Sequence, residues 1–325
     1  MKRKIAGLDL ECSALGFGAW AIGGPFWQDQ QPLGWGEVDD AESEAALREA
    51  IAGGVDFIDT ADLYGAGHSE KVIGRVLADT REDIVVSTKC GFCFDEATKQ
   101  VTGSSSAPEY IRAACQASLK RLGLDRIDLY FLHVPELEGA ERVDAFAALG
   151  SLVDEGLIRS FGWSTDSVEM ASWASELEGC VAIQYERNVL RANPEMDALC
   201  ESMGLAGVNR SPLAMGMLSR KSIEGRTLSE SDIRSKAPEW LSYFENGRPK
   251  PEFLSKLLAV REILCSEGRT ESQGALAWLW ATSEASIPIP GIRTVEQAQS
   301  ASEAMRLGPL SPSQVEEIRS ILKTS

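Results

Sequence analysis

Histidine is scarce in this sequence: its 325 residues include only His68 and His133. One chain cannot build a three-histidine zinc site from them, and no HExxH pattern is present. Chemistry that needs an imidazole has two candidates. Basic residues are also in deficit, with 32 Lys and Arg against 49 Asp and Glu and a formal net charge of −17. Nucleic-acid recognition and polybasic membrane binding both want a basic footprint, so neither partner is expected. No stretch approaches the roughly 18 uninterrupted apolar residues of a membrane span. The basic start Met1-Lys2-Arg3-Lys4 runs into Asp9 and Glu11, not a signal-peptide apolar core, which predicts a cytoplasmic protein.

The seven cysteines, at 12, 90, 93, 115, 180, 200 and 265, are odd in number and dispersed, the pattern of reduced thiols. Cys90-Gly91-Phe92-Cys93 is a lone CxxC. A zinc ribbon would need a second pair, and a redox motif would open a helix, which the polar stretch after Cys93 does not suggest. Buried or half-buried thiols and no metal are expected.

Apolar residues make up 44% and charged residues 25%, an ordinary globular balance. Short apolar runs alternate with helical periodicity along the chain. Strands are predicted near Ala14–Gly18, Val55–Ile58, Ile84–Val86, Ile127–Leu132, Leu157–Gly162, Cys180–Ile183, Leu205–Val208 and Ala285–Ile289. Helices are predicted over 41–53, capped by Asp39 or Asp40, and over 69–79, 108–122, 141–154, 167–177, 194–202, 252–267, 271–282 and 294–305. Eight β-α units without a composition break predict one α/β domain over 1–325, a (β/α)8 TIM barrel. An alternating segment from Lys4 to Cys12 predicts an N-terminal β-hairpin, and a C-terminal helix follows from about Ser311. Segment 210–251 is long, polar and punctuated by Gly and Pro, the mark of a covering loop. Its Trp240, Tyr243 and Phe244 could form a lid or a local hydrophobic staple. Trp278 and Trp280, in an apolar helix, read as core.

Gly16-Phe17-Gly18-Ala19-Trp20-Ala21 matches the GxGxxA dinucleotide fingerprint. That fingerprint requires a helix beginning inside it, and Ile22-Gly23-Gly24-Pro25 cannot continue one. The glycines instead mark a tight turn at the end of the first barrel strand, where barrel active sites lie.

Asp59 and Tyr64 follow the second strand, Lys89 the third and His133 the fourth. A lysine ammonium beside a tyrosine lowers the hydroxyl pKa, a carboxylate holds the lysine, and an imidazole orients a carbonyl. These four are the candidate catalytic residues. Trp20 and Phe92, on loops at the same mouth, join Tyr64 and His133 as the candidate substrate pocket. His68 reads as a loop or capping residue. Lys89 alone is also compatible with a Schiff-base aldolase or lyase.

Phe57-Ile58-Asp59-Thr60-Ala61-Asp62-Leu63-Tyr64-Gly65, Ser87-Thr88-Lys89 and Leu132-His133-Val134-Pro135 together resemble the aldo-keto reductase superfamily. The likeness spans essentially the whole chain and is greatest to bacterial NADP-dependent reductases with a Trp-Ala-Ile-Gly-Gly first loop. It implies carbonyl reduction to an alcohol by hydride transfer from NADPH, with Tyr64 as general acid and a small carbonyl compound as substrate. It implies that Ser164 and Gln184 hold the nicotinamide carboxamide, and that Ser211, Pro212, Leu213, Gly216 and Leu218 lie along the pyrophosphate. Gly291, Arg293 and Gln297 would bind the adenosine end and its 2′-phosphate, while Gly18, Ala19, Trp20 and Asp59 complete the cofactor contacts. Arg210 stands where the superfamily often has an aromatic residue on the nicotinamide, and Ala301 where it has an asparagine near adenine. An acidic chain that binds a polyanion must gather charge locally, which adds Arg220 and Lys221 to Arg210 and Arg293. Because the superfamily includes channel-associated members, a slow redox-sensing NADP(H) module is the other alternative.

Overall fold

The period-2 alternation of the strands decides which residues face inward. Phe57, Val85, Leu129, Phe131, Val208 and Ile287 form one buried apolar cluster, the barrel interior. Asp59, Ser87 and Lys89 continue those same faces toward the C-terminal ends of their strands. The interior is thus apolar below and ionic above. This computed structural model describes residues 1–5, 10–219 and 228–323.

An N-terminal hairpin, β1 (Lys2–Ile5) and β2 (Leu10–Ser13), precedes β3 (Gly16–Gly18), β4 (Trp27–Gln28), β5 (Gln31–Pro32), β6 (Phe57–Asp59), β7 (Val85–Cys90), β8 (Phe92–Asp95) and β9 (Gln100–Ser104). Next come β10 (Ile127–Leu132), β11 (Ile158–Ser164), β12 (Cys180–Glu186), β13 (Ala206–Arg210), β14 (Phe244–Glu245), β15 (Arg248–Pro249) and β16 (Ser286–Pro288). Eight of these form the parallel sheet in the order β16-β13-β12-β11-β10-β7-β6-β3. A parallel bridge between Gly18 and Gly291 joins its two edges, and the Gly18 amide donates to Pro290 O at 2.9 Å. A Cβ on Gly18 would lie 2.8 Å from that oxygen, so closure requires glycine here. Ile5 and Cys12 of the hairpin pack into the interior cluster and plug its lower end.

Helices cover the outside as the periodicity predicts. α1 (Asp40–Ala52) is capped by Asp39, whose carboxylate accepts the Ala41 and Glu42 amides. α2 (His68–Leu77) follows β6, and α3 (Pro108–Leu122) opens on Pro108 and stops at Gly123 with φ of +68°. The helix Pro312–Lys323 buries Val315 and Ile318. Trp278 and Trp280 are core, and the Trp280 indole donates to Ala14 O at 2.7 Å.

Two features depart from the sequence expectation. The loops after β3 and β7 pair into a small sheet in the order β5-β4-β9-β8. Within segment 210–251, expected to be a covering loop, the described residues carry β14, β15 and a short helix, Ile233–Lys236, which the sequence reading did not place. Elements of two to five residues with polar faces leave little periodicity to read. Arg220 and Lys221 fall outside the described residues. No helix among the described residues is long and apolar enough to cross a membrane, and none of their His, Cys, Asp and Glu side chains cluster to hold a metal ion.

Candidate active site

Strand register brings the four predicted catalytic side chains to one end of the barrel. β6 pairs with β7 so that Asp59 faces Ser87, and β7 pairs with β10 so that Lys89 faces Phe131. Lys89 is fully buried, with Nζ 2.7 Å from Asp59 Oδ2, 2.6 Å from Thr60 O and 3.5 Å from the Tyr64 hydroxyl. The other Asp59 oxygen accepts Ser87 Oγ at 2.8 Å and Gln184 Nε2 at 2.9 Å. The Asp59 carboxylate therefore has partners on both oxygens, as a buried ion pair requires.

Tyr64 is positioned by the chain around it. The Asp62 amide donates to Lys89 O and the Tyr64 amide to Ala61 O, which fixes a tight turn after β6. Gly65, with φ of +63°, lies so close to Gly23 that a Cβ there would strike the Gly23 carbonyl. His133 is seated by its amide, which donates to Cys90 O at 2.7 Å, and by Trp163, whose indole holds Val134 O at 2.7 Å. The Tyr64 and His133 rings stand perpendicular, 6.3 Å apart, and Phe92 meets His133 edge-on at 5.1 Å.

A cavity of about 990 Å³ opens over this cluster and runs to Arg293, Gln297 and Ala301. Gly18, Trp20, Phe92, Ser164, Gln184, Arg210, Ser211, Pro212, Leu213, Gly216 and Gly291 also line it. Ala19 and Leu218 are fully buried beside it. Along one side Ser211, Ala214 and Met215 have positive φ, followed by Gly216 at +86°. The amides of Ala214, Gly216, Met217 and Leu218 close these turns on the carbonyls of Ser211, Leu213 and Ala214. Arg210 pairs with Asp166. Arg293 donates from Nη1 and Nη2 to Trp35 O and Glu37 O, and its amide is held by the Gln297 side chain at 2.7 Å. A long cleft with tight turns along its middle and arginines at both ends suits an extended dinucleotide.

The profile of the aldo/keto reductase family matches residues 14–323. The chain belongs to the aldo/keto reductase family. Membership makes it an NADP(H)-dependent oxidoreductase acting on small-molecule carbonyl compounds. An aldo-keto reductase from Bacillus halodurans, in its holo form, is 26% identical with a TM-score of 0.79, covering 100% of this chain and 97% of that one. The glycerol dehydrogenase of Gluconobacter oxydans is 27% identical with a TM-score of 0.83, over 99% and 95%. An aldo-keto reductase from Klebsiella pneumoniae solved with NADPH is 23% identical, TM-score 0.69, over 99% and 96%, a likeness that speaks for the fold.

One expectation for this reductase is corrected. Lys89 does pull the Tyr64 hydroxyl toward lower pKa, but the enclosing pocket raises it more and Asp59 adds to the rise, so Tyr64 lies above 10.0. Burial alone would lower Lys89, yet Asp59 and Tyr64 together outweigh it and hold the ammonium above its ordinary value. Burial pushes His133 well below 6.5, helped by the positive charges of Lys89 and Arg210. At neutral pH the site therefore holds a neutral phenol, an ammonium and a neutral imidazole.

His68, the other histidine, stands away from the cavity and bonds Asp40 at 2.8 Å. Cys90 is buried and Cys93 half-buried. Trp240 and Phe244 line the cavity, whereas Tyr243 is buried and bonded to Asn188 and Glu186. Sequence reading missed Thr165 and Asp166, which follow Ser164 at the end of β11. Both line the cavity, and the one available signal was position after a barrel strand.

Proposed function

We propose that Tyr64 is the proton donor in this reductase and that Asp59, Lys89 and His133 set its working state. The observation that carries the reading is the fully buried Lys89, held between Asp59 and the Tyr64 hydroxyl beside a neutral His133. When bound, NADPH supplies the hydride. Tyr64, protonated at neutral pH, gives its proton to the carbonyl oxygen as that oxygen gains negative charge. Lys89 stabilises the phenolate left behind, at a cost that Asp59 limits by keeping the lysine charged and fixed. His133, uncharged, orients the carbonyl oxygen by hydrogen bonding.

Ser164 and Gln184 would hold the nicotinamide carboxamide, with Arg210 against the ring. Ser211 to Gly216 would carry the pyrophosphate, with Leu218 behind it, and Arg293 the 2′-phosphate. Gly18, Ala19 and Trp20 would flank the ring from the first loop, while Gly291 and Gln297 shape the adenosine end. Segment 210–251 covers both ligands in this reading, and the chain works as one domain. A reducing, cytoplasmic setting fits its free thiols.

A Schiff-base role for Lys89 is disfavoured, because an ammonium held above its ordinary pKa by Asp59 and Tyr64 has no lone pair to attack with. The test is a panel of aldehydes and ketones with NADPH and with NADH, followed by cofactor oxidation. NADPH-dependent turnover is expected. Borohydride trapping of a carbonyl compound on Lys89 without cofactor oxidation would overturn the reading.

A further inference from the structure

The catalytic residues handle any carbonyl, so the substrate has to be read from the wall beyond them. From the Tyr64 ring outward, three aromatic rings form a ladder. Tyr64 and Trp20 stack at 5.8 Å and 17°, and Trp20 and Trp240 at 6.3 Å and 30°. Behind them Phe26 and Leu63 build a satellite apolar cluster with Leu33, Phe92 and Val101, separate from the barrel interior. Trp240 is the unusual member. It is a cavity-lining indole that remains 57% exposed, although a side chain of that size gains most from burial.

We infer that the substrate is a flat, uncharged aryl aldehyde or ketone, and that Trp240 is the residue that selects it. The inference rests on Tyr64 being the group that meets the carbonyl. A substrate whose carbonyl oxygen reaches the Tyr64 hydroxyl must extend along this ladder, where an aryl group covers the open face of Trp240. The wall has little to offer anything more polar. Among the described residues every cation that lines the cavity is already paired. Lys89 is buried against Asp59 and Thr60, Arg210 is paired with Asp166, Arg293 donates to Trp35 O and Glu37 O, and Arg234 is held by both oxygens of Asp232 and stacked on Trp35 at 4.7 Å. The Trp20 indole N–H is taken by Leu33 O at 3.1 Å. A carboxylate or phosphate on the substrate would lose water there without gaining an unpaired counter-charge, and a polyol would find fewer partners than it has hydroxyls, Gln28 and the unpartnered Trp35 indole N–H being the polar groups on this wall.

The test compares 2-naphthaldehyde, 4-carboxybenzaldehyde and glyceraldehyde with NADPH in the wild-type protein and in Trp240→Ala. Binding of 2-naphthylmethanol, the product alcohol, is measured alongside by calorimetry. The wild type should favour naphthaldehyde in kcat/KM over both other aldehydes by about tenfold or more, mainly through KM, as expected if one aryl face is buried. Trp240→Ala should erase most of that preference and weaken naphthylmethanol binding by about the same factor. Equal or better turnover of glyceraldehyde or the carboxylate would overturn the inference and leave the reductase reading standing. Absence of NADPH oxidation with every aldehyde, together with tryptophan-dependent binding of the alcohol, would overturn the reductase reading while supporting the ligand class. Naphthylmethanol binding that is untouched by Trp240→Ala would remove Trp240 from the site.

Discussion

Gln184 reaches across the barrel mouth and donates to Asp59 Oδ1 at 2.9 Å, although 125 positions separate the two in the chain. It shares that oxygen with Ser87, while Lys89 takes the other. The segment proposed to hold the nicotinamide carboxamide is thereby tied to the carboxylate that fixes Lys89. Such a connected set of buried donors is already oriented before any ligand arrives.

Gln184→Ala should therefore weaken cofactor binding and slow turnover together. Removing a hydrogen bond to a buried charge costs about 1.5–3 kcal/mol, or roughly tenfold and upward in kcat/KM. Fluorescence titration with NADPH and steady-state kinetics check both. A change in binding with kcat untouched would show that the bond to Asp59 has no role in the chemistry.

Lys89→Met should be costly to the fold as well as to activity. Asp59 would stay buried without its counter-charge, and breaking such a pair by losing one member costs about 3–5 kcal/mol. Urea unfolding of the variant should show a lower midpoint with an unchanged slope. The double variant Lys89→Met, Asp59→Leu should recover part of the lost stability and none of the activity.

Much of this candidate site was legible because each of its four residues lies at or just beyond the C-terminal end of a barrel strand that the sequence exposes as an apolar run. The strand Ile127–Leu132 and the helices Pro108–Leu122 and Glu271–Thr282 lie where periodicity and punctuation put them. What escaped has physical reasons. The sheet over the mouth rests on pairings such as Trp27 with Gln100, far apart in sequence and without alternation to mark them. The bond from Gln184 to Asp59 exists only once the barrel closes. The direction of the Tyr64 shift depends on how far the pocket shuts out water, which a motif does not encode.

The titration directions predict the pH behaviour. Tyr64 lies above 10.0, so carbonyl reduction should stay level from about pH 7 to 9 and fall only as the phenol ionises. His133 lies well below 6.5, so the unfolded chain binds a proton that the folded chain refuses. This contribution to stability is complete above about pH 6.5 and is lost as the pH falls toward the folded value. Unfolding free energies measured from pH 8 to 5 should decline less in His133→Gln than in the wild type. Identical slopes would mean that His133 is not held neutral.

Gly65→Ala should misplace the proton donor. The new methyl would meet the Gly23 carbonyl in a backbone conformation that favours glycine. Strain of this kind costs about 1–3 kcal/mol, and relieving it moves Tyr64, the neighbouring residue. Activity should drop more than cofactor affinity does. A fully active variant would show that this contact does not set the position of Tyr64.

The most direct test of the central claim is Tyr64→Phe, assayed for single-turnover reduction of an aldehyde and, in the same preparation, for NADPH binding by fluorescence. Reduction should fall by about a hundredfold or more, the share usually carried by a positioned acid. NADPH affinity should stay within a few-fold of wild type, because the hydroxyl acts on the carbonyl. Reduction at the wild-type rate, with the cofactor equally bound, would contradict the assignment of Tyr64 as the proton donor.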